Sequence, residues 1–470
     1  MARKVAARSA RGSGQSASAS TPAPRAAAGG AAFRAKVRMY RQGLGDCFLL
    51  TFPRSDGSSF FIVIDCGVIL GTADPGTVMN QVVQDLIATT HGRIDLLVAT
   101  HEHWDHISGM VQAQALWQDK SKLKVDQVWV AWTEDPADQL ANKLRAEHQS
   151  LRTALTMAAS RMRAAGGSDT ADEVMGMLDL FGAAGSGTTT DALNVVKGLS
   201  QNVRYCLPQD APVTLNGTSV RAYVLGPPHD EKLIKRFNPS TSTPETYGME
   251  AMNAAAGMLE IALDDSDESA PFGARFQIPL EPAKQMPFFQ QNYWGEAADS
   301  EEKSQDWRRI DTSWLDASSS LALQLDSATN NTCVVLAFEL DGGDVLLFAA
   351  DAQVGNWLSW QDLKWNVNAK TVTGPDLLKR TIFYKVGHHG SHNATLRQLG
   401  LEEMDGLKYA FIPVNHEMAL KKRWGQMPFE PLLQRLGEKT GQQVVRIDQD
   451  VPPTLVNLVK ATPLYFEISL

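Results

Sequence analysis

Four metal-binding side chains fall within six residues of one another: His101, His103, Asp105 and His106. They follow residues 94–100, an apolar run that predicts a buried strand, and they precede a helical pattern. Side chains at i and i+2 on such a loop can point the same way, so two of them can reach one cation while the other two turn toward a second. Imidazole nitrogens and carboxylate oxygens are ligands of Zn²⁺. A group of surface or helix-capping residues is the disfavoured alternative.

Further candidate ligands stand at the ends of other predicted strands. Asp65 follows the apolar run 60–64, and Asp351 closely follows the run 345–348. The adjacent pair His388 and His389 comes just after a later apolar run. Each of these runs predicts a buried strand with a polar end. The sequence therefore places ligand-type side chains at several strand ends, far apart along the chain.

The segment 100–109, THEHWDHISG, resembles the HxHxDH signature of the metallo-β-lactamase superfamily. The order of the other pieces is similar too: an early strand ending in Asp65, a late strand ending in Asp351, and a last one ending in a histidine. The resemblance covers about residues 33 to 450, apart from two insertions. It implies an α/β fold, the αββα metallo-β-lactamase sandwich of two mixed sheets flanked by helices.

Two shorter elements resemble one branch of that superfamily. GDCF at 45–48 and KVGHHGS at 385–391 are similar to the hydrolase domain attached to DNA-uptake competence channels. The HHG element is also similar to one in zinc phosphodiesterases that act on phosphorylcholine. No apolar run approaches the roughly 18 to 20 residues that a membrane helix needs. The chain therefore looks like a free-standing relative without channel helices.

The resemblance implies a dinuclear site. His101 and His103 match ligands of the first zinc ion, and Asp105 and His106 match ligands of the second. Asp351 matches the aspartate that bridges the two ions. Asp105 is also expected to help orient the nucleophile, a hydroxide that bridges the metals.

Other roles follow from the same resemblance. His389 is expected to complete the second site and His388 to lie beside the substrate phosphate, although the reverse assignment remains open. His388 is a candidate to protonate the leaving oxygen. Lys385 either meets a substrate phosphate or forms a salt bridge. Asp65 matches the buried aspartate that orients a histidine ligand.

The first site normally takes a third histidine. His229, which follows a predicted strand and a Pro-Pro pair, is the only histidine in a suitable context, since His148 lies in a helical stretch and His91 precedes the motif. An ordinary turn that ends in a surface polar residue is the alternative. In that case the first site lacks a ligand and is weak, or it binds Mn²⁺ or Fe instead of zinc.

The chain divides into a tail at 1–32 and a domain at 33–470, which carries a helical insertion at about 136–200 and an irregular one at about 230–307. The tail is rich in Ala, Ser, Gly and Arg and predicts disorder, with a targeting segment or a nucleic-acid-binding arm as alternatives. Residues 1–42 hold nine Lys/Arg and no acid, which leaves 35 bases against 53 acids, or −18, for the remainder. Four scattered cysteines without CxxC spacing favour a reducing, cytoplasmic location.

These observations predict a dinuclear zinc hydrolase, most simply a phosphodiesterase or nuclease. The acidic body disfavours indiscriminate duplex binding, so single-stranded nucleic acid or a nucleotide is the expected substrate, and no membrane partner is expected. The same site can serve a lactone, thioester or β-lactam hydrolase. A non-catalytic protein that binds a partner through the helical insertion is the third alternative.

Overall fold

The computed structural model describes residues 33–164, 168–181, 188–236, 278, 280–294, 322, 325–422, 424 and 427–470. The described residues from Arg34 to Leu470 belong to one compact unit. The predicted tail and most of the irregular insertion lie outside the described residues, so both remain predictions. Within the described part, no helix is both long enough and apolar enough to cross a lipid bilayer.

The described strands belong to two large sheets and two small pairs, the parallel pair β4–β6 and the antiparallel hairpin β13–β14. They are β1 (Lys36–Tyr40), β2 (Cys47–Pro53), β3 (Ser59–Cys66), β4 (Arg93–Ile94), β5 (Leu96–Val98), β6 (Lys124–Val125), β7 (Val128–Ala131), β8 (Val203–Cys206), β9 (Val213–Thr214), β10 (Arg221–Gly226), β11 (Val335–Glu339), β12 (Val345–Phe348), β13 (Lys364–Val367), β14 (Lys370–Thr373), β15 (Thr381–Lys385), β16 (Tyr409–Ile412), β17 (Val444–Arg446), β18 (Val459–Ala461) and β19 (Tyr465–Ser469).

The described helices connect these strands and cover the outer faces of the sheets. They are α1 (Pro75–Thr90), α2 (Trp104–Ile107), α3 (Gly109–Gln112), α4 (Gln114–Trp117), α5 (Gln139–Ala164), α6 (Ser168–Leu178), α7 (Thr189–Gly198), α8 (Glu231–Ile234), α9 (Leu280–Gln285), α10 (Pro287–Phe289), α11 (Val354–Ser359), α12 (Gly374–Lys379), α13 (His416–Lys421) and α14 (Glu430–Thr440).

Both large sheets are mixed. The first has the order β18-β19-β1-β2-β3-β5-β7-β8, and the second has the order β17-β16-β15-β12-β11-β10-β9. In the first sheet β3, β5, β7 and β8 run parallel, and in the second β12, β15, β16 and β17 do. The carboxyl ends of neighbouring parallel strands meet at one edge of a sheet. The loops after β3, β5, β12 and β15 are therefore the ones that can share a site.

The two sheets pack face to face through a shared apolar core. Alternate residues of β2 point into it, including Phe48 and Phe52, as the two-residue period of a strand requires. The ring of Phe48 packs edge-on to Phe348 of β12 with centroids 5.6 Å apart, and Phe52 contacts Phe338 of β11 at 5.7 Å. Burial of such rings is a main source of stability between layers.

Helices cover the outside of both sheets. Leu49 and Val63 of the first sheet belong to the same buried cluster as Val82 and Leu86 of α1. On the second sheet, Tyr384 packs against Trp357 of α11, with ring centroids 6.1 Å apart. The molecule is therefore an α/β protein in which two mixed sheets lie between layers of helices. The expected αββα sandwich is confirmed.

Some predicted elements differ from the structure. Just before β11, the described residues 322 and 325–330 are helical. Ala322 and Leu325, three positions apart, share one core, which is helical spacing. The strand expected at 94–100 is interrupted at Asp95, whose carboxylate accepts the Phe61 amide and pairs with Arg54.

Candidate metal centre

Four buried side chains meet where the two sheets come together: Asp105, His106, Asp351 and His389. Each offers one ligand atom, and these atoms all lie within 4.8 Å of one another. His389 Nε2 lies 2.9 Å from Asp105 Oδ2, and His106 Nε2 lies 3.1 Å from Asp351 Oδ2. The first sheet supplies Asp105 and His106 through α2, which follows β5, and the second sheet supplies the other two. The cluster is thus assembled from both sheets.

Both histidines of this cluster are turned so that Nε2 faces its centre. His106 Nδ1–H donates to Asp65 Oδ2 at 2.8 Å, and His389 Nδ1–H donates to the Pro413 carbonyl at 2.8 Å. Asp65 is held in turn by the amide and hydroxyl of Thr100, each 2.7 Å away. An outer acceptor of this kind fixes the orientation of a histidine that binds a metal. Asp65 therefore occupies the orienting position that the resemblance implies.

The cluster fits a divalent cation. Its closest and widest imidazole–carboxylate separations are 2.9 and 3.9 Å, and ligand atoms about 2.1 Å from one tetrahedral ion lie about 3.4 Å apart. Asp105 Oδ1 is buried and has no hydrogen-bond partner within the described residues. A buried carboxylate oxygen without a partner is costly unless a cation or water meets it. The structure therefore contains a buried group of residues able to hold a metal ion.

Glycines let the ligand loop approach the neighbouring strands closely. A Cβ at Gly67 would lie 2.4 Å from the Asp105 carbonyl oxygen, and one at Gly45 would lie 2.6 Å from it. That carbonyl accepts the amide of Asp46 at 3.0 Å. Any larger side chain at Gly67 would push Asp105 away from its position in the cluster.

The last ligand loop has an unusual backbone. His388 and His389 have φ values of 40° and 52°, and Ala350, just before Asp351, has a φ of 46°. Non-glycine residues rarely adopt this left-handed region, and strained positions cluster at functional sites. The left-handed pair sends the two adjacent imidazoles in different directions, with ring centroids 6.0 Å apart.

His388 is the more accessible of the two adjacent histidines. Its amide donates to Asp351 Oδ1 at 3.1 Å, and its Nδ1 lies 3.0 Å from Ser391 Oγ. The serine hydroxyl donates to Asn393 Oδ1, so it accepts the proton of His388 Nδ1. Burial lowers the pKa of His388 to about 4, which leaves the ring neutral at pH 7. This favours the expected placement, with His389 in the cluster and His388 beside it, and disfavours His388 as an acid.

Lys385 is buried in an ion pair. It is 1% exposed, and its Nζ lies 2.5 Å from Asp46 Oδ2, 2.9 Å from the Ala350 carbonyl and 3.4 Å from Asp351 Oδ1. Burial lowers the pKa of this ammonium, but Asp46 and Asp351 outweigh it and raise the pKa. Of the two roles expected for Lys385, the salt bridge is the one that the structure contains.

His101 and His103 form a second pair of ligand-type side chains. His101 Nε2 lies 3.0 Å from His103 Nδ1, a separation that suits two ligands of one cation. The Thr100 hydroxyl, which donates to Asp65, lies 3.1 Å from His101 Nδ1 and accepts its proton. Both rings are buried, and His101 packs 4.2 Å from the ring of His106. The two predicted first-site histidines are therefore adjacent to each other and to the four-residue cluster.

His229 is not placed with these residues. Its Nε2 is bound to Asp138 at 2.8 Å, and its ring packs on Trp132 with centroids 4.3 Å apart. The side chain is 37% exposed, unlike the buried ligands. A cis Gly226-Pro227 bond and the Pro-Pro pair end β10 before it. The structure therefore does not place His229 as the third ligand of the first site. This histidine belongs to an ordinary turn, which was the alternative interpretation.

The electrostatics of the metal-free cluster are strongly polarised. Burial raises the pKa of Asp105, but His106 and His389 outweigh it and lower the pKa to about 2. Burial lowers the pKa of His106 and of His389, yet the surrounding carboxylates raise both. The pKa of Asp351 is lowered, chiefly by His106 and Lys385 acting against burial. Without a metal, protons on the two imidazoles thus balance the carboxylates.

Two acids near the cluster had no role assigned from the sequence. Asp46 lies in the GDCF element and pairs with Lys385. Asp326 is buried, and burial together with Asp105 and Asp351 raises its pKa to about 8. The sequence signal for Asp326 is an acid within the apolar run LALQLDSA.

A further group also has ligand-type atoms within 4.8 Å of one another: Asp46, Asp65 and His106. These atoms can hold a cation by proximity alone. They already have protein donors, however: Lys385 faces Asp46, and Thr100 and the His106 Nδ1–H face Asp65. The four-residue cluster is therefore the better candidate for a metal.

Comparison with protein-family models finds no match for this chain, and comparison with curated proteins finds none. The case for a metal site therefore depends on the geometry of the fold and of its buried histidine–aspartate cluster.

Proposed function

We propose that this chain is a divalent-metal-dependent hydrolase that cleaves phosphodiesters. The observation that carries the proposal is the convergence of the buried cluster of Asp105, His106, Asp351 and His389 at the meeting of two sheets. The choice of phosphodiesters as substrates is supported by the KVGHHGS element, which resembles that of phosphodiester hydrolases. Metal identity is left to experiment, with zinc the first candidate and Mn²⁺ or Fe the others.

The residues divide between two cation positions. His101 and His103 would hold one cation, and the four-residue cluster would hold the other, with Asp351 shared between them. Bound divalent cations supply Lewis acidity and lower the pKa of a water molecule bound to them to about 7. Two cations also offset the repulsion that several buried carboxylates would exert on a phosphodiester anion.

The protein's own groups would position the nucleophile. Asp105 Oδ2 faces His389, while its Oδ1 has no hydrogen-bond partner in the described chain, so Oδ1 is free to accept a hydrogen bond from the attacking water. His388 is neutral and presents Nε2 as an acceptor, because Nδ1 is bound to Ser391. Two acceptors beside one buried cluster suit the orientation of water for attack on phosphorus.

The charge of the chain bears on substrate size. Beyond residue 42 the sequence carries 35 bases and 53 acids, a formal −18. Such a body repels long polyanions more than short ones. We therefore propose a nucleotide or a short single-stranded nucleic acid, rather than duplex DNA, as the substrate class.

Hydrolysis of bis-p-nitrophenyl phosphate by the metal-loaded protein tests the proposal. We expect the wild type to turn over this substrate. Turnover should fall by more than about 100-fold in Asp351→Ala and in His389→Ala, because loss of a residue that only orients a ligand already costs up to about 100-fold. His229→Ala is the matched control, because it removes a histidine–carboxylate pair outside the cluster, and it should retain wild-type turnover. Metal analysis should find two ions per chain.

Two results would contradict the proposal. Turnover of nitrocefin or a lactone without phosphodiester hydrolysis would move the site to the lactone, thioester and β-lactam class. No hydrolysis of any of these substrates by protein that holds its metal would favour a non-catalytic binding protein.

A further inference from the structure

The histidines of the centre follow a common pattern. Three of them turn one ring nitrogen toward a protein acceptor and the other toward a neighbouring ligand. These pairs are His101 with Thr100, His106 with Asp65, and His389 with Pro413. A histidine that binds a metal almost always donates its other N–H in this way, which fixes the tautomer and the angle of the ring. The fourth histidine, His103, should have such an acceptor as well.

The outward nitrogen of His103 faces Asp326. His103 Nδ1 lies 3.0 Å from His101 Nε2, so its Nε2 is the outer atom. That Nε2 lies 3.7 Å from Asp326 Oδ1, within ion-pair distance. Within the described residues neither atom has a hydrogen-bond partner, although His103 is 1% exposed and Asp326 is 8% exposed. Two buried, unpartnered polar atoms that face each other call for an explanation.

The segment that carries Asp326 is anchored to the site. Asp326 Oδ2 accepts the side-chain amide of Asn330 at 3.2 Å, which leaves Oδ1 directed at His103. Asn331 Oδ1 accepts the amide of Gln353 at 3.0 Å, two residues after Asp351. The helical residues 325–330 are thus tied to the loop of a cluster ligand, so the position of Asp326 is fixed relative to it.

We propose that Asp326 is the positioning carboxylate of the first cation site: it accepts the Nε2–H of His103 and so directs His103 Nδ1 at the cation shared with His101. Neither the HxHxDH element nor the order of the strands assigns this aspartate a role. The inference rests on the proposed function in one respect, because it requires a cation at the two histidines.

The proton balance of the rings agrees with this role. His101 donates Nδ1–H to Thr100, so in the metal-free protein its Nε2 accepts the Nδ1–H of His103. The neutral His103 ring then has no proton on Nε2 to donate, and at 3.7 Å Nε2 and Asp326 Oδ1 are too far apart for a hydrogen bond. When His103 Nδ1 binds a cation, the single proton of the neutral ring must sit on Nε2, where Asp326 accepts it. Metal loading therefore completes the His103–Asp326 hydrogen bond.

Cation titration separates this role from a structural one. Zn²⁺ affinity is measured by competition titration, and His101→Ala, which should abolish binding at the first cation site, identifies that site. Asp326→Ala should weaken Zn²⁺ binding at this site by about 10- to 100-fold. Asp326→Asn, which keeps an oxygen acceptor, should weaken it by about tenfold. Asp138→Ala is the matched control, since Asp138 binds His229 at 2.8 Å outside the centre. Asp138→Ala should leave the Zn²⁺ affinities of both cation sites unchanged. Circular dichroism of each metal-free variant reports its folding.

Histidine-selective ¹⁵N NMR of the zinc-loaded protein gives a second readout. We expect His103 to be protonated on Nε2 in the wild type, and its N–H signal to shift in Asp326→Asn and to broaden or vanish in Asp326→Ala. A wild type with the His103 proton on Nδ1 would overturn the inference, as would variants with unchanged affinities and an unchanged signal. A wild type that binds no cation at His101 and His103 would contradict the proposed function instead.

Discussion

The orientation of each cluster histidine is set within its own sheet. His106 is held by Asp65, at the end of β3 in the first sheet, and His389 is held by the Pro413 carbonyl, which follows β16 in the second. Each ring thus has its Nδ1 held within its own sheet, while its Nε2 faces a carboxylate of the other sheet. Two preset imidazoles therefore need only the docking of the sheets to become a binding site, which is the preorganisation that tight metal binding requires.

The raised pKa values of His106 and His389 predict how metal binding depends on pH. Both imidazoles retain protons in the metal-free protein, whereas Asp105 and Asp351, with lowered pKa values, are already ionised at neutral pH. Binding must therefore release protons, and affinity should rise with pH by about tenfold per unit for each proton released. Calorimetry in two buffers of different ionisation enthalpy measures the number released.

The metal-free protein should show the opposite trend. A raised imidazole pKa stabilises the fold below the unfolded-state value of about 6.5, and this stabilisation is lost as the pH rises through the raised value.

Metal affinity that stays constant between pH 6 and 8, or binding without proton release, would show that the two rings are neutral before the metal arrives.

Sequence alone identifies the candidate ligands that are marked by residue type and strand context. Asp105 and His106 share one short motif, and Asp351 and His389 each follow an apolar run. Partners that are defined only by distant contacts give no such signal. Asp326 meets His103 across more than 200 residues, and nothing in the local pattern of either residue reveals it. His229 had a fitting sequence context, but the fold pairs it with Asp138.

At the scale of elements, a buried ion pair connects the sheets. Lys385 ends β15 in the second sheet, and Asp46 immediately precedes β2 in the first. Their side chains are 1% and 2% exposed, and the Lys385 ammonium also faces Asp351. The pair therefore supports the candidate ligand loops of both sheets at once.

Removal of Lys385 should destabilise the fold. Lys385→Met leaves Asp46 buried without its cation, and breaking a buried pair by removing one partner typically costs about 3–5 kcal/mol. Urea unfolding of the metal-free protein measures the loss. The matched control is Lys421→Met, which breaks a pair with Glu417 whose side chains are 71% and 79% exposed. An exposed pair of this kind contributes at most about 1 kcal/mol.

The same variant distinguishes a structural lysine from one that binds substrate. If Lys385 contacted a substrate phosphate, Lys385→Met would raise KM while the free energy of unfolding stayed close to that of the wild type. That pair of results would contradict the position described for it.

The strands could be predicted well because most are short apolar runs with turn residues on either side. The apolar run 345–348 has the same bounds as β12. The hairpin of β13 and β14 was missed, although Asn368 and Ala369, both at positive φ, form its two-residue turn.

At the scale of the whole molecule, the cluster lies across the junction of the two sheets. Asp105 and His106 belong to the first sheet's side and Asp351 and His389 to the second's. A cation bound by all four would tie the layers together in the folded state and would find no such arrangement in the unfolded chain. Ligands that bind only the native state stabilise it.

Chelation should therefore lower stability measurably. At a free metal concentration 100 times Kd, one site adds about 2.7 kcal/mol to the free energy of unfolding. Differential scanning calorimetry with and without EDTA measures this effect. His229→Ala should keep the full metal-dependent shift, whereas Asp351→Ala should lose it. A wild type with equal melting temperatures in both conditions would show that the cluster binds no cation.

The hydrogen bond between His389 and Asp105 joins residues 284 positions apart. A loop of that length closes only after nearer contacts have compensated for its entropy, so the centre is among the last parts to assemble. A cation then meets a nearly finished protein and cannot serve as a template for either half. Metal binding should therefore lower the rate of unfolding and leave the rate of refolding largely unchanged.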